Sequence, residues 1–251
     1  MGRCMARNVA YFGWSGSPLP EANEIFYNCV KSLKQVSDVD VYVCTMPGIL
    51  PDDIKEIVTE LHVSKEQWED RRLTAKLEIM LNVPLEDGDR FGYFDGDLHF
   101  LSDPFKLFDE VDCDVFYTER HYQFEFPVNG GVWGFKVSPE TQKFRKWFVS
   151  EVQNPTWEPY VYLRNNHPYV KEFDHKDWWV DQDFLNCIHW RTDWVNHELD
   201  LNLKIHNTGP KYNLITNFEE REQMVKQYDP VILHYKNTQG YKRWELKTET
   251  R

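Results

Sequence analysis

No stretch of this 251-residue chain approaches the roughly 18 consecutive apolar residues of a membrane-spanning helix. The opening residues Met1-Gly2-Arg3-Cys4-Met5-Ala6 lack the apolar core of a secretory signal. Ala6 also stands where a myristoylated N-terminus carries Ser or Thr. Cysteine is sparse: Cys4, Cys29, Cys44, Cys113 and Cys187 are scattered and odd in number. That argues against a disulfide framework or a zinc site and leaves reduced thiols of a cytoplasmic protein as the expectation. Positive charge is in the minority, with 29 Lys and Arg against 41 Asp and Glu, a net charge of −12. Such a chain has no basic stripe for nucleic acid and no attraction to anionic lipid. Pro/Gly/Ser linkers, low-complexity runs and internal repeats are missing as well, so residues 1–251 read as one domain.

What is abundant is aromatic: 16% of the chain, with ten Trp, inside a hydrophobic content of 41%. Most of these rings suit a core, and those beside polar residues suit sugar or nucleobase rings. Apolar spacing gives strands at 8–14, 39–45, 90–94, 114–118 and 131–137. It gives helices at 21–36 and 51–61, a helix with Leu73, Leu77, Met80 and Leu81 on one face, and one begun by Ser138-Pro139-Glu140. Alternating strand and helix predicts an α/β domain, a mostly parallel sheet with helices on both faces. Ligands of such sheets bind outside the carboxyl ends of the strands. Residues 154–176 show no period and are rich in Tyr, Trp, His and Pro; they read as a functional loop or a surface insertion.

Three segments carry chemistry. In Tyr93-Phe94-Asp95-Gly96-Asp97-Leu98 an apolar strand ends in two carboxylates. Charge is tolerated where a buried strand emerges, and alternate residues point the same way. Asp95 and Asp97 can therefore share one hard cation, with Gly96 allowing a phosphate or backbone close by. Asp181-Gln182-Asp183 opens a helix after Trp178-Trp179. Its polar side chains project past the helix end, although Asp is also an ordinary N-cap. Val231-Ile232-Leu233-His234 delivers a histidine to a strand end, followed by Lys236, Lys242 and Arg243. Histidine with carboxylates suits Mn²⁺ or a similar cation, and the cations suit phosphate.

Together these segments resemble the GT-A glycosyltransferases. Phe94-Asp95-Gly96-Asp97 resembles their DxD motif, and Asn129–Phe135 (NGGVWGF) resembles their Asn-x-Gly-Val strand. Asp181–Asn186 (DQDFLN) and Ile232–Tyr235 (ILHY) are similar to the Asp-Gln helix and C-terminal histidine of the glycogenin and lipopolysaccharide galactosyltransferase group. The motifs keep that group's order across residues 90–244. The resemblance implies a Rossmann-like GT-A fold and a hexosyl- or pentosyltransferase that uses a nucleotide-sugar, UDP-sugar favoured, and a glycan or other hydroxyl acceptor, with retention. It implies Mn²⁺, with Mg²⁺ as the substitute, on Asp95, Asp97 and His234. Asn129 and Asp181 would hold the donor sugar and Gln182 would lie under the anomeric carbon. Arg72, Lys76, Lys236 and Lys242 would contact the donor, and Tyr11, in the first loop Tyr11-Phe12-Gly13-Trp14-Ser15, would meet the nucleobase. Asp181 and Asp183 are the candidate nucleophiles; an inverting enzyme would instead need a general base, for which Asp174, Asp177 and Asp181 are the candidates. Trp178 or Trp179 would stack on a sugar in an acceptor site shaped by residues 157–179. Three other readings compete: a haloacid-dehalogenase-like phosphatase, a sugar nucleotidyltransferase, and a Ca²⁺-dependent glycan-binding module without catalysis.

Overall fold

The computed structural model describes residues 6–17, 19–120, 127–166, 180–215 and 221–235, with backbone alone at 70–73, 180 and 221. The chain begins with strand β1 (Asn8–Gly13), helix α1 (Pro20–Val36) and strand β2 (Asp40–Thr45). One turn of helix, α2 (Asp52–Lys55), leads to strand β3 (Thr59–His62), and helix α3 (Lys65–Met80) follows. The helix expected over 51–61 is thus a single turn followed by a strand. Val58 and Thr59 are β-branched, and the edge of β2 offers residues 59–62 a parallel ladder that outweighs local helical spacing.

Strands β4 (Arg90–Phe94) and β5 (Leu98–Phe100) flank the carboxylate pair, and a short helix, α4 (Leu107–Glu110), leads to β6 (Val115–Glu119) and the long β7 (Val128–Lys136). Helices α5 (Pro139–Gln153), α6 (Glu158–Asn166), α7 (Val180–Trp190) and α8 (Thr192–Leu199) come next, then β8 (Ile205–Asn207) and β9 (Leu214–Ile215). Helix α9 (Arg221–Tyr228) and strand β10 (Ile232–His234) complete the described chain. Part of the stretch expected to be irregular is therefore helix α6. None of the described helices is long and apolar enough to cross a membrane.

The main sheet has the order β3-β2-β1-β4-β7-β6-β8. Only β7 runs against its neighbours β4 and β6; the other pairings are parallel. Strand alternation sorts the rings. Val9, Tyr11, Phe91, Tyr93, Trp133 and Phe135 pack toward one layer with Leu77, Phe144, Phe148 and Phe184. Ala10, Phe12, Phe94 and Val132 pack toward the other with Phe26, Val30 and Leu33 of α1. Ser138 caps α5 as expected, in a capping box closed by Thr141. A second sheet, β5-β10-β9, which the sequence did not foretell, stands against the carboxyl end of the first.

Candidate active site

Strand β4 ends at Phe94, and Asp95 continues its ladder by donating its N–H to the Gly131 carbonyl of β7 at 2.8 Å. Two residues on, the Asp97 carbonyl accepts from the Tyr235 N–H at 2.8 Å, just past β10. The two carboxylates are thus pinned between both sheets. The antiparallel register of β5 with β10 sets His234 opposite Leu98, which brings the imidazole beside Asp97. His234 Nε2 lies 3.2 Å from Asp97 Oδ1. One ligand atom from each of Asp95, Asp97 and His234 falls within 4.8 Å of the others.

Gly131 makes room for this cluster. A Cβ there would stand 2.9 Å from His234 Cε1 and closer still to Asp95 Oδ2. Burial raises the Asp95 carboxyl pKa, Lys76 opposes this, Asp97 adds to it and His234 opposes it; the balance stays above the ordinary carboxylate range. A bound cation removes that penalty, because it stabilises the charged forms of both acids together.

Behind the cluster is a chain of amides. The Gly131 N–H donates to Asn129 Oδ1 at 2.8 Å. Asn213 Nδ2 donates to the same oxygen at 2.9 Å and to Thr118 Oγ1 at 2.8 Å. The Thr118 hydroxyl donates in turn to the Val132 carbonyl at 3.0 Å. A backbone N–H can only donate, so Asn129 presents oxygen, Asn213 presents its NH₂, and Asn213 Oδ1 faces His234. That oxygen lies 2.9 Å from His234 Nδ1 and accepts its proton. Nε2, the nitrogen beside Asp97, is then the one left for a metal to take. Two carboxylates and one imidazole with their ligand atoms this close fit a hard-to-borderline divalent cation.

The first turn of α7 lies against the same end of β7. A Cβ on Gly130 would stand 3.1 Å from Gln182 Cβ, so the missing side chain permits the contact. Gln182 Oε1 accepts from Arg120 Nη2 at 2.6 Å and from the Gly130 N–H at 3.3 Å. One turn later Asn186 clamps the helix to β7, accepting from the Val128 N–H at 2.9 Å and donating to its carbonyl at 3.3 Å. Asp181 Oδ2 is 3.4 Å from Lys76 Nζ, and both side chains are buried. Lys76 also lies 5.0 Å from the Tyr93 ring centre. Burial alone would lower the Lys76 pKa, but Asp181, Tyr93 and Asp95 raise it further, so it stays charged. Asp183, 2% exposed, has an Oδ1 atom without a hydrogen-bond partner among the described residues. Burial first, and Asp181 second, raise its pKa to about 7.

The structure therefore gathers Asp95, Asp97, Asn129, His234, Lys76, Asp181 and Gln182 at one end of the sheet. Tyr11 is not among them. It lies within β1, 0% exposed, and strand alternation turns it toward α3, where its hydroxyl donates to the Lys76 carbonyl. At Gly96 the space of the missing side chain is taken by Phe26 and Trp14, stacked 4.6 Å apart. Trp157 is buried against Trp147 and Phe184 and is scaffold. Lys236, Lys242, Arg243, Trp178, Trp179 and the side chain of Arg72 lie outside the described residues. Sequence reasoning missed Arg120, Thr118 and Asn213. Each is a lone polar residue near a strand end, and none carries a local spacing that marks it.

No family model and no curated protein sequence matches the chain. Solved structures do. The fold is similar to mouse xyloside xylosyltransferase 1, with a TM-score of 0.56 at 11% identity, over 93% of this chain and 98% of that one. It is similar to the glycosyltransferase GlyE of Streptococcus pneumoniae, with a TM-score of 0.54 at 16% identity, over 93% of this chain and 55% of that one. A third is galactosyltransferase LgtC, solved with donor and acceptor sugar analogues: TM-score 0.52, 14% identity, 91% of this chain and 87% of that one. These similarities establish the GT-A fold for this chain.

Proposed function

We propose that the protein is a single-domain, metal-dependent glycosyltransferase that moves a sugar from a nucleoside-diphosphate donor, UDP-sugar favoured, to a hydroxyl of a glycan. The observation that carries this reading is the Asp95–Asp97–His234 cluster at the carboxyl end of β4, with Asn129 of β7 beside it and Gln182 of α7 against the same end of β7. Mn²⁺ held by those three side chains, with Mg²⁺ as its substitute, supplies positive charge against the diphosphate leaving group. Lys76 adds a second, permanent charge near Asp95. Its partner Asp181 then holds hydroxyls of the donor sugar. Gln182 has its oxygen committed to Arg120 and Gly130, so its NH₂ is the group available to the sugar. That arrangement fits a positioning donor under the anomeric carbon better than a nucleophile. Retention of configuration follows from the motif resemblance. Four described cysteines are buried free thiols, which suits a cytoplasmic setting.

The test is hydrolysis of UDP-glucose, UDP-galactose and UDP-xylose without acceptor. Slow release of UDP with Mn²⁺, its loss in EDTA and its return on adding Mn²⁺ are expected. Asp97→Asn keeps the shape and removes one charged ligand, so it should lower the rate at least about 100-fold with little change in melting temperature. Undiminished turnover in excess chelator refutes the metal-dependent reading.

A further inference from the structure

Away from this site, α6, α7 and α8 frame an open cleft of about 740 Å³, within the range of ligand-binding clefts. Its walls carry Tyr162, Trp190 and Trp194, which are 68%, 38% and 55% exposed. Among the described residues these are all the exposed large aromatic side chains; the other exposed large hydrophobic side chains are leucines elsewhere. The exposed rings of the described residues are thus gathered in one concave place, the mark of a contact surface.

The cleft is not purely apolar. Glu158, Asn166 and Arg191 stand among the rings. The Arg191 guanidinium lies 5.9 Å from the Trp194 ring centre, which helps to fix the indole plane. One carboxylate and one guanidinium cancel, so the lining is neutral on a chain of net charge −12. A polyanion or polycation finds no complementary field there. A lipid tail or apolar peptide would bury Glu158 and Arg191 against hydrocarbon, at a cost. A second copy of the chain fits poorly, because a two-fold contact would set one concave cleft against another. A neutral sugar chain meets both demands. The C–H faces of its rings lie on Trp and Tyr, and its hydroxyls reach planar carboxylate, amide and guanidinium groups. The location agrees: α7 starts at the Asp181-Gln182 turn, and Trp190 lies eight residues on, roughly 12 Å along the helix axis.

We propose that this cleft binds a neutral oligosaccharide. Resting on the transferase reading, it grips the acceptor glycan at a distance from the hydroxyl that reacts. The test separates the two claims. Wild type, Tyr162→Ala, Trp194→Ala and Trp194→Phe are applied to a printed array of neutral oligosaccharides, with EDTA present and no nucleotide-sugar. The strongest binder is then titrated calorimetrically. Wild type should retain oligosaccharides in EDTA. Each alanine variant should bind at least about tenfold more weakly, a loss of about 1.4 kcal/mol, with circular dichroism and melting temperature unchanged. Trp194→Phe, which keeps a flat ring, should retain most of the affinity. Release of UDP from the donor should be equal in all four proteins. No retained glycan in wild type, or alanine variants that bind as well as wild type, overturns the proposal. Binding lost in the alanine variants while no protein hydrolyses any donor leaves the cleft standing and removes the transferase reading instead.

Discussion

Replacing Asn213 by leucine tests whether the tautomer of His234 is set by the amide chain behind it. Leucine is close in size and removes three hydrogen bonds, of 2.8 Å to Thr118, 2.9 Å to Asn129 and 2.9 Å to His234. Two of those partners keep a bond elsewhere. The Thr118 hydroxyl still donates to Val132, and Asn129 Oδ1 still accepts from Gly131. The His234 Nδ1–H loses the acceptor that fixed it, and leaving such a buried donor without a partner costs about 1–3 kcal/mol. The imidazole escapes part of that cost by moving its proton to Nε2, where Asp97 Oδ1 at 3.2 Å accepts it. That same move closes the lone pair a metal needs. The loss of Mn²⁺ affinity should therefore be about 10- to 100-fold, the usual scale when the partner of a ligating histidine is removed. Asn213→Asp is the control. Its carboxylate still accepts from Nδ1–H but no longer donates to Asn129, so it should lose stability while retaining more of the Mn²⁺ affinity than the leucine variant. Calorimetric titration with Mn²⁺ and ¹⁵N shifts of the labelled imidazole read the two quantities separately. If Asn213→Leu binds Mn²⁺ as tightly as wild type, or if its histidine keeps the Nδ1–H form, the argument from the amide chain is wrong.

Gly131→Ala places a methyl against Asp95 and His234, so Mn²⁺ affinity should fall more than tenfold while overpacking lowers stability by only about 1–3 kcal/mol, read by titration and melting; unchanged affinity refutes the tight fit. Asp183, with its pKa raised from 3.8 to about 7, binds a proton more tightly in the folded chain than in the unfolded one. Stability should therefore fall as pH rises from about 4 to about 7, by up to about 4 kcal/mol at about 1.4 kcal/mol per tenfold in proton affinity. Asp183→Asn should flatten that slope in melts from pH 5 to 8 and raise the melting temperature at pH 8; an unaltered slope shows that Asp183 does not titrate in this window.

Sequence alone determined what depends on neighbours in the chain. Alternation and helical spacing set β1, α1, β2, β4 and α5, and the abrupt end of an apolar strand in Asp95-Gly96-Asp97 marked the carboxyl end of β4 as the place for charge. Asp181-Gln182 was legible as a helix start and His234 as a strand end, because caps and strand exits have local signatures. Tertiary structure decided the rest. Residues 59–62 became a strand because β2 had a free edge, and Tyr11 went inward because the sheet, not the loop, claimed it. The pairing of β5 with β10 closes a gap of more than a hundred residues to bring His234 to Asp97, and no local pattern encodes that register. Arg120, Asn213 and Gly131 act through orientation at about 3 Å, a matter of which atom faces which. A hydrogen bond's direction is fixed only when its partners are in place, so these roles exist in the folded chain and not in its sequence pattern.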